Sequence, residues 1–398
     1  MQFFYNLIKK FRLFAKTAVK SLYFINQSSI ISKKIKKVGN IMRVFNFAAG
    51  PSILPLEVLQ EAQKDLLDYN GSGMSIAEMS HRSKTFMAVN EEANATLREL
   101  LNISNDYAVL FVQGGASQQF ASVPLNLMTT GVADYIVTGN FAGKAQEEGA
   151  KYGKANIVAS SKDKNFTYIP SLKEIEFSKD ASYVHITSNN TIFGTRYTEL
   201  PKTTAPLVAD MSSNILSEVI NVNDFGLIYA GAQKNIAPAG VTIVIARRDL
   251  LGKQLDICPT MLNYAIQDKN DSLYNTPPCF PIYISMLVFR WLKKQGGIKE
   301  MQKINEYKAG LLYDFIDGTD FYTNSVNKKD RSLMNVPFVT KSEELDAEFV
   351  KEATKNGLVS LKGHRLVGGM RASIYNAMPI EGVKALIEFM KKFEMEHK

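Results

Sequence analysis

Residues 207–235 read LVADMSSNILSEVINVNDFGLIYAGAQKN, and this stretch decides the fold. Leu207–Ala209 and Leu227–Tyr229 are short apolar runs of the kind that form strands buried on both faces. Each is followed at once by polar and small residues. Asp210-Met211-Ser212-Ser213 follows the first and Gly231-Ala232-Gln233-Lys234-Asn235 the second. In open α/β sheets, functional side chains collect at the carboxyl ends of such strands. A lysine there, beside residues small enough to let a ligand approach, has its amine neutralised by burial and able to condense with an aldehyde. A carboxylate at the neighbouring strand end can keep a heteroaromatic nitrogen protonated, which makes that ring an electron sink. Taken singly, a strand-end aspartate is more often a helix cap and a lone lysine a solvated charge. The two together read as one reactive site.

Working outward, further apolar runs occur at Tyr107–Val112, Tyr135–Thr138, Tyr183–Thr187 and Val241–Ala246, separated by polar or helical segments. The pattern predicts a mainly parallel, mixed sheet with helices on both faces. Pro55 opens an amphipathic helix carrying Val58, Leu59, Ala62 and Leu66 on one side. After Gly297 the texture changes to a long helix over 298–315, then strand and helix ending with Val383–Phe393. The expected division is a large domain over residues 56–303 and a smaller α/β domain from residues 43–55 and 304–398.

Composition narrows the function. The net charge of +8 invites a nucleic-acid partner, but residues 1–42 hold nine of the 47 basic residues and no acid. The body from Arg43 onward is close to neutral, so no nucleic-acid surface is expected there. The basic segment has Phe4, Leu7, Ile8, Phe11, Ala15, Ala18 and Leu22 at roughly helical spacing, which fits a targeting or membrane-surface helix. It is also lysine-rich with a single arginine, and the reading preferred is an extension outside the fold, with Met42 as the working start and a cytoplasmic protein. No run in residues 43–398 is long enough to span a membrane. Cys258 and Cys279 form no disulfide framework, and four scattered histidines form no zinc motif. Gly143-Lys144 is followed by Ala145, so it is not a P-loop.

Further pieces stand in order along the chain: Phe47-Ala48-Ala49-Gly50-Pro51, Met79-Ser80-His81-Arg82-Ser83, Gly114-Gly115-Ala116-Ser117, Asn190-Thr191-Ile192-Phe193-Gly194, Asn275-Thr276-Pro277-Pro278 and Gly368-Gly369-Met370-Arg371-Ala372-Ser373. With the Asp210 and Lys234 segments, this series resembles the class V aminotransferases of the fold-type I pyridoxal-phosphate-dependent transferases, over essentially all of residues 43–398.

The resemblance implies pyridoxal 5'-phosphate bound covalently by Lys234, with Asp210 on the ring nitrogen. Gly115 and Ala116 open a helix after a strand, where backbone N–H groups can also receive a phosphate on general grounds. Thr191 would bond the ring oxygen, Gln233 would add a phosphate contact, and Asn275 and Thr276 would reach the same phosphate from a neighbouring subunit. Phe141 stands where the family commonly has a stacking tryptophan, so a flat face is kept with less area. Arg371 would pair with the substrate α-carboxylate, as a planar guanidinium is suited to do. His364-Arg365 and His81-Arg82 resemble phosphate-binding pairs, the second donated across the interface of a homodimer with shared active sites. His185 reads as a satisfied core histidine and His397 as a frayed-end residue. The implied activity is reversible amino transfer from L-glutamate to 3-phosphohydroxypyruvate, with the four-carbon analogue that feeds pyridoxine synthesis as a further substrate. Alternatives are an alanine–glyoxylate type aminotransferase, a cysteine desulfurase, or an inert binding protein on the same fold.

Overall fold

The structure is a computed structural model. It describes residues 43–398 and the backbone of Lys37–Val38 and Ile41–Met42, which pair as a short antiparallel ribbon. The basic segment read above as a leader otherwise lies outside the described residues.

The chain begins with β1 (Phe45–Asn46), α1 (Leu56–Asp65) and α2 (Lys84–Leu101). Strands and helices then alternate as β2 (Tyr107–Val112), α3 (Gly115–Leu127), β3 (Val132–Val137), α4 (Asn140–Gly149) and β4 (Lys154–Ser160). Four strands follow with no long helix between them: β5 (Val184–Thr187), β6 (Leu207–Asp210), β7 (Leu227–Gly231) and β8 (Thr242–Arg247). Next come α5 (Tyr264–Lys269), α6 (Cys279–Lys294) and α7 (Gly297–Asp317). The chain ends with β9 (Asn335–Phe338), α8 (Glu343–Lys355), β10 (Leu358–Val359), β11 (Met370–Ser373) and α9 (Ile380–His397).

β2 to β8 form one seven-stranded sheet in the order β2-β8-β7-β6-β5-β3-β4. β8 runs antiparallel to both neighbours and every other pairing is parallel, the mixed but mainly parallel sheet expected. Successive residues of a strand face opposite sides, so β2 feeds two cores. Val109 and Phe111 enter one with Val89, Leu97, Ile284 and Phe289. Ala108, Leu110 and Val112 enter the other with Phe120, Val123 and Ala142. A third core gathers Phe45, Phe47, Leu312, Phe338, Phe349, Met370 and Phe389, from both ends of the described chain.

Several elements escaped the sequence reading, β4 and α6 among them. β4 is an edge strand whose residues stay partly or fully exposed, Ile157 among them at 55%; without a buried face it shows no apolar run. α6 buries eight consecutive residues, Ile282 to Phe289. A helix apolar all round carries no amphipathic period to detect. His185 is buried and its Nε2 meets the Tyr229 hydroxyl at 2.8 Å, but its Nδ1 has no partner, so it is a core histidine only half satisfied. His397 is a correction: its ring stacks on Phe393 at 4.0 Å between centroids, and Nδ1 lies 2.8 Å from the Phe393 carbonyl, which tie down the last turn instead of leaving it frayed.

Candidate active site

β6 and β7 are parallel neighbours with Asp210 in register with Tyr229, so the loops leaving their carboxyl ends emerge side by side. That brings Asp210 and Lys234 to one place. Asp210 is buried, and its Oδ1 accepts the backbone N–H of Ser212 at 2.9 Å. Lys234 as a whole is partly exposed, but its amine lies enclosed. Burial pushes the Asp210 carboxyl up and the nearby Lys234 opposes that. For Lys234, burial pushes the amine down to about 8; Asp210 works against the shift and Arg371 adds to it. The two groups feel each other's charge, yet no ion pair joins them among the described residues. A buried carboxylate and a depressed amine kept apart in this way fit a cationic ring between them, so the residues present suit the expected cofactor.

Thr191 is the pivot of the site. Lys234 Nζ donates to its Oγ1 at 2.7 Å, and the Arg371 guanidinium donates to its carbonyl at 3.3 Å. Thr191 is held by the turn at Asn190–Gly194, where Asn190 donates to Thr138 Oγ1 at 3.1 Å and to Thr195 Oγ1 at 3.0 Å. Gly194 has φ +75°, and a Cβ there would lie 2.4 Å from Pro337 Cδ. Phe141, in the first turn of α4, places its ring centroid 5.7 Å from Lys234 Nζ, so a flat apolar face borders the amine. Gly114 ends β2 with φ +89° and leads into the first turn of α3, at Gly115 and Ala116. A Cβ on Gly115 would meet nothing within 4 Å, which leaves open space beside the helix N-terminus, where backbone N–H groups favour an anion.

The cations expected on the substrate side divide into two sets. Arg371 on β11 lies near His364, and Arg365 and Lys144 lie near it too. After burial, these three charges push the His364 pKa down in that order. No acid takes part. Burial lowers the Arg371 pKa as well, and its Nε has no partner. His81-Arg82 forms the second set, and the structure does not join it to the first within the chain. His81 is buried with Nε2 unpartnered, and Arg82 is exposed. Asn275 and Thr276 abut the strand end before Gly114: the Thr276 carbonyl accepts from Gln113 Nε2 at 3.4 Å, and Asn275 lines a cavity of about 310 Å³ with Gln113 and Gln118. Gln233 faces Gly50, and its carbonyl accepts the Ser52 N–H at 3.0 Å.

Sequence reasoning missed Ser52, whose Oγ bonds to the Lys234 carbonyl and clamps the lysine segment from 182 residues away. The neighbouring Phe47–Pro51 piece was its only signal. It also set Lys144 aside after excluding a P-loop.

A mainly parallel sheet with an enclosed lysine amine and a buried aspartate at adjacent strand ends defines an enzyme of the amino-group transferases. The chain belongs to the aminotransferase class-V family, whose profile matches residues 44–386. It is 56% identical over 358 residues to a phosphoserine aminotransferase of Bacillus cereus, covering 89% of this chain and 99% of that one. Among solved structures it is similar to phosphoserine aminotransferase from Bacillus circulans subsp. alkalophilus, at 48% identity and TM-score 0.88, covering 89% and 99% of the two chains. The pyridoxal-phosphate-bound phosphoserine aminotransferase of Trichomonas vaginalis matches at 39% identity and TM-score 0.85, over 88% and 100%.

Proposed function

We propose that this chain moves an amino group reversibly from L-glutamate to 3-phosphohydroxypyruvate, giving 2-oxoglutarate and O-phospho-L-serine. The observation that carries the reading is the Lys234–Asp210 pair set beside His364, Arg365 and Arg371, a group of cations with no acid to neutralise it. That arrangement suits a small molecule with an α-carboxylate at one end and a phosphate at the other. The similarity to phosphoserine aminotransferases over nearly the whole described chain supports the same substrates.

When bound, pyridoxal 5'-phosphate supplies an aldehyde for the amino group and an electron-accepting ring. Lys234 would hold the cofactor through its amine, and that amine would carry the proton at the substrate α-carbon. Asp210 would set its buried carboxylate toward the ring nitrogen, Thr191 would bond the ring oxygen, and Phe141 would offer its flat face to the ring. Gly115, Ala116 and Gln233 would hold the cofactor phosphate, with Asn275 and Thr276 of a second copy. Arg371 takes the substrate α-carboxylate. His364 and Arg365 take the substrate phosphate with His81 and Arg82 from the other copy. Donor and acceptor use the same site in turn.

The dimer in this proposal has support on the surface: Leu67, Met74 and Met87, in the stretch of chain on either side of the buried His81, are 85%, 45% and 49% exposed, and His81 Nε2 has no partner. Apolar exposure of that kind marks a contact surface. The separate third core supports a small domain of residues 43–55 and 304–398 against a large one of 56–303. A cytoplasmic location belongs to the same proposal; among the described residues no helix is long and apolar enough to cross a membrane.

A desulfurase reading has less support. It needs a nucleophilic thiolate, and burial pushes both Cys258 and Cys279 toward the protonated thiol. The test is a coupled assay with L-glutamate and three acceptors. 3-Phosphohydroxypyruvate is expected to exceed pyruvate and glyoxylate in kcat/KM by at least about a hundredfold, the scale of two lost charge-assisted bonds. Equal use of the three would remove the proposal.

A further inference from the structure

Lys144 sits in α4 one turn after Phe141, and residues three apart on a helix share a face. Its Nζ lies 6.0 Å from the Phe141 ring centroid, and Lys234 Nζ lies 5.7 Å from the same centroid. One aromatic ring is therefore bordered by the cofactor lysine and by a second, free ammonium. That ammonium also acts on His364, on the strand-and-loop segment that carries Arg371. α4 and the 364–371 segment thus bring the charges of Lys144, Arg365 and Arg371 to bear on one histidine, His364.

An exposed lysine on a helix ordinarily turns to an acid one turn away. Here Glu147 and Glu148 stand at i+3 and i+4, yet neither forms an ion pair with Lys144, and Glu148 pairs with Lys151 at 2.6 Å. Lys144, Arg365 and Arg371 form no ion pair among the described residues. A flexible lysine held near two arginines and a histidine gains nothing unless an anion joins them. The ends of the proposed substrate differ in what they ask for. The α-carboxylate needs one planar, bidentate partner, which Arg371 is. A phosphate dianion offers three oxygens and takes point charges as readily as forks.

We propose that Lys144 is a specificity-determining residue that donates from its own subunit to the phosphate of the phosphorylated substrate, beside His364 and Arg365. This rests on the proposed function and adds to it a cation from the helix that carries Phe141. The arrangement also separates direct contact from an indirect effect by sign. If Lys144 acted only by its charge on His364, removing it would ease protonation of that histidine and strengthen phosphate binding. Direct donation predicts the opposite.

The experiment uses holoenzyme converted to its amino form, with single-turnover half-reactions against 3-phosphohydroxypyruvate and pyruvate followed by absorbance. The readout is the ratio of the two values of kcat/KM, since pyruvate has no phosphate. Lys144→Gln is expected to lower that ratio about tenfold, one charge-assisted bond, and Lys144→Arg to keep it within about threefold of wild type. A Lys144→Gln ratio equal to or above that of wild type, in an enzyme that itself prefers the phosphorylated acceptor, overturns the role of Lys144 alone. A wild-type ratio near one overturns the substrate reading beneath it, and this inference with it.

Discussion

Lys234 and Thr191 share a hydrogen bond in which the lysine donates, and that bond favours the charged amine. Reaction with an aldehyde needs the neutral form. Protein stripped of cofactor should therefore take up pyridoxal 5'-phosphate faster as pH rises, with the rate levelling off above about pH 8, where the amine has lost its proton. Thr191→Val removes an acceptor that stabilises the ammonium, so its rate profile should shift to lower pH; absorbance time courses across pH 6 to 10 read both. A profile that does not move would show that Thr191 leaves the charge of Lys234 untouched. Lys234→Ala should take up no cofactor covalently. At this scale the residues that a motif names were legible, because Asp210, Thr191, Lys234 and Arg371 each stand in a short piece of recognisable order. Ser52 and Lys144 were not: each acts through partners far away in sequence, Ser52 on the Lys234 carbonyl and Lys144 on His364.

Among the elements, α7 does more than cover the sheet. Lys308 is fully buried, and its ammonium donates to the carbonyls of Ile374, Tyr375 and Met378 at 3.0, 2.8 and 3.1 Å. One turn earlier, Asn305 donates to the Ser217 carbonyl and to Asn376 Oδ1, both at 2.9 Å. Asn376 N–H in turn donates to Asn235 Oδ1, next to Lys234 in the chain, at 3.0 Å. The helix thereby ties the segment that follows Arg371 to the segment that holds Lys234. Lys308→Met removes the ammonium from three buried carbonyls, of which Tyr375 keeps the Met378 N–H at 2.9 Å, and should cost about 3 kcal/mol in urea unfolding. Burial pushes the Lys308 amine down to about 7, from 10.5 in the unfolded chain. Between those values the unfolded state binds more protons, so this contribution to stability should rise as pH climbs from 7 toward 10.5. The wild type should gain more stability over that range than Lys308→Met; equal slopes would show that the amine keeps its proton inside the fold. The sequence reading found α7 as a long helix over 298–315 and overlooked α6, whose apolar residues run unbroken.

At the scale of the whole molecule, the proposed site needs two copies. Size-exclusion chromatography with light scattering should give twice the mass of one chain. A sharper check mixes Arg82→Ala with Lys234→Ala protomers under conditions that exchange subunits. If Arg82 serves the partner's site, half of the molecules are mixed and each holds one intact site, so about a quarter of wild-type activity should return. No recovery would place Arg82 in its own protomer's site or outside both.

The order of apolar runs and the chemistry at two strand ends were enough to determine the layered α/β fold, the lysine and the aspartate, since strand burial and reactive-residue type are local properties written in a few neighbouring positions. The edge strand β4 and the gathering of Lys144 with His364, Arg365 and Arg371 were decided only by the tertiary structure. They depend on which distant segments pack together, and the electrostatic meaning of a charge comes from its neighbours in space, of which the linear order of residues holds no record.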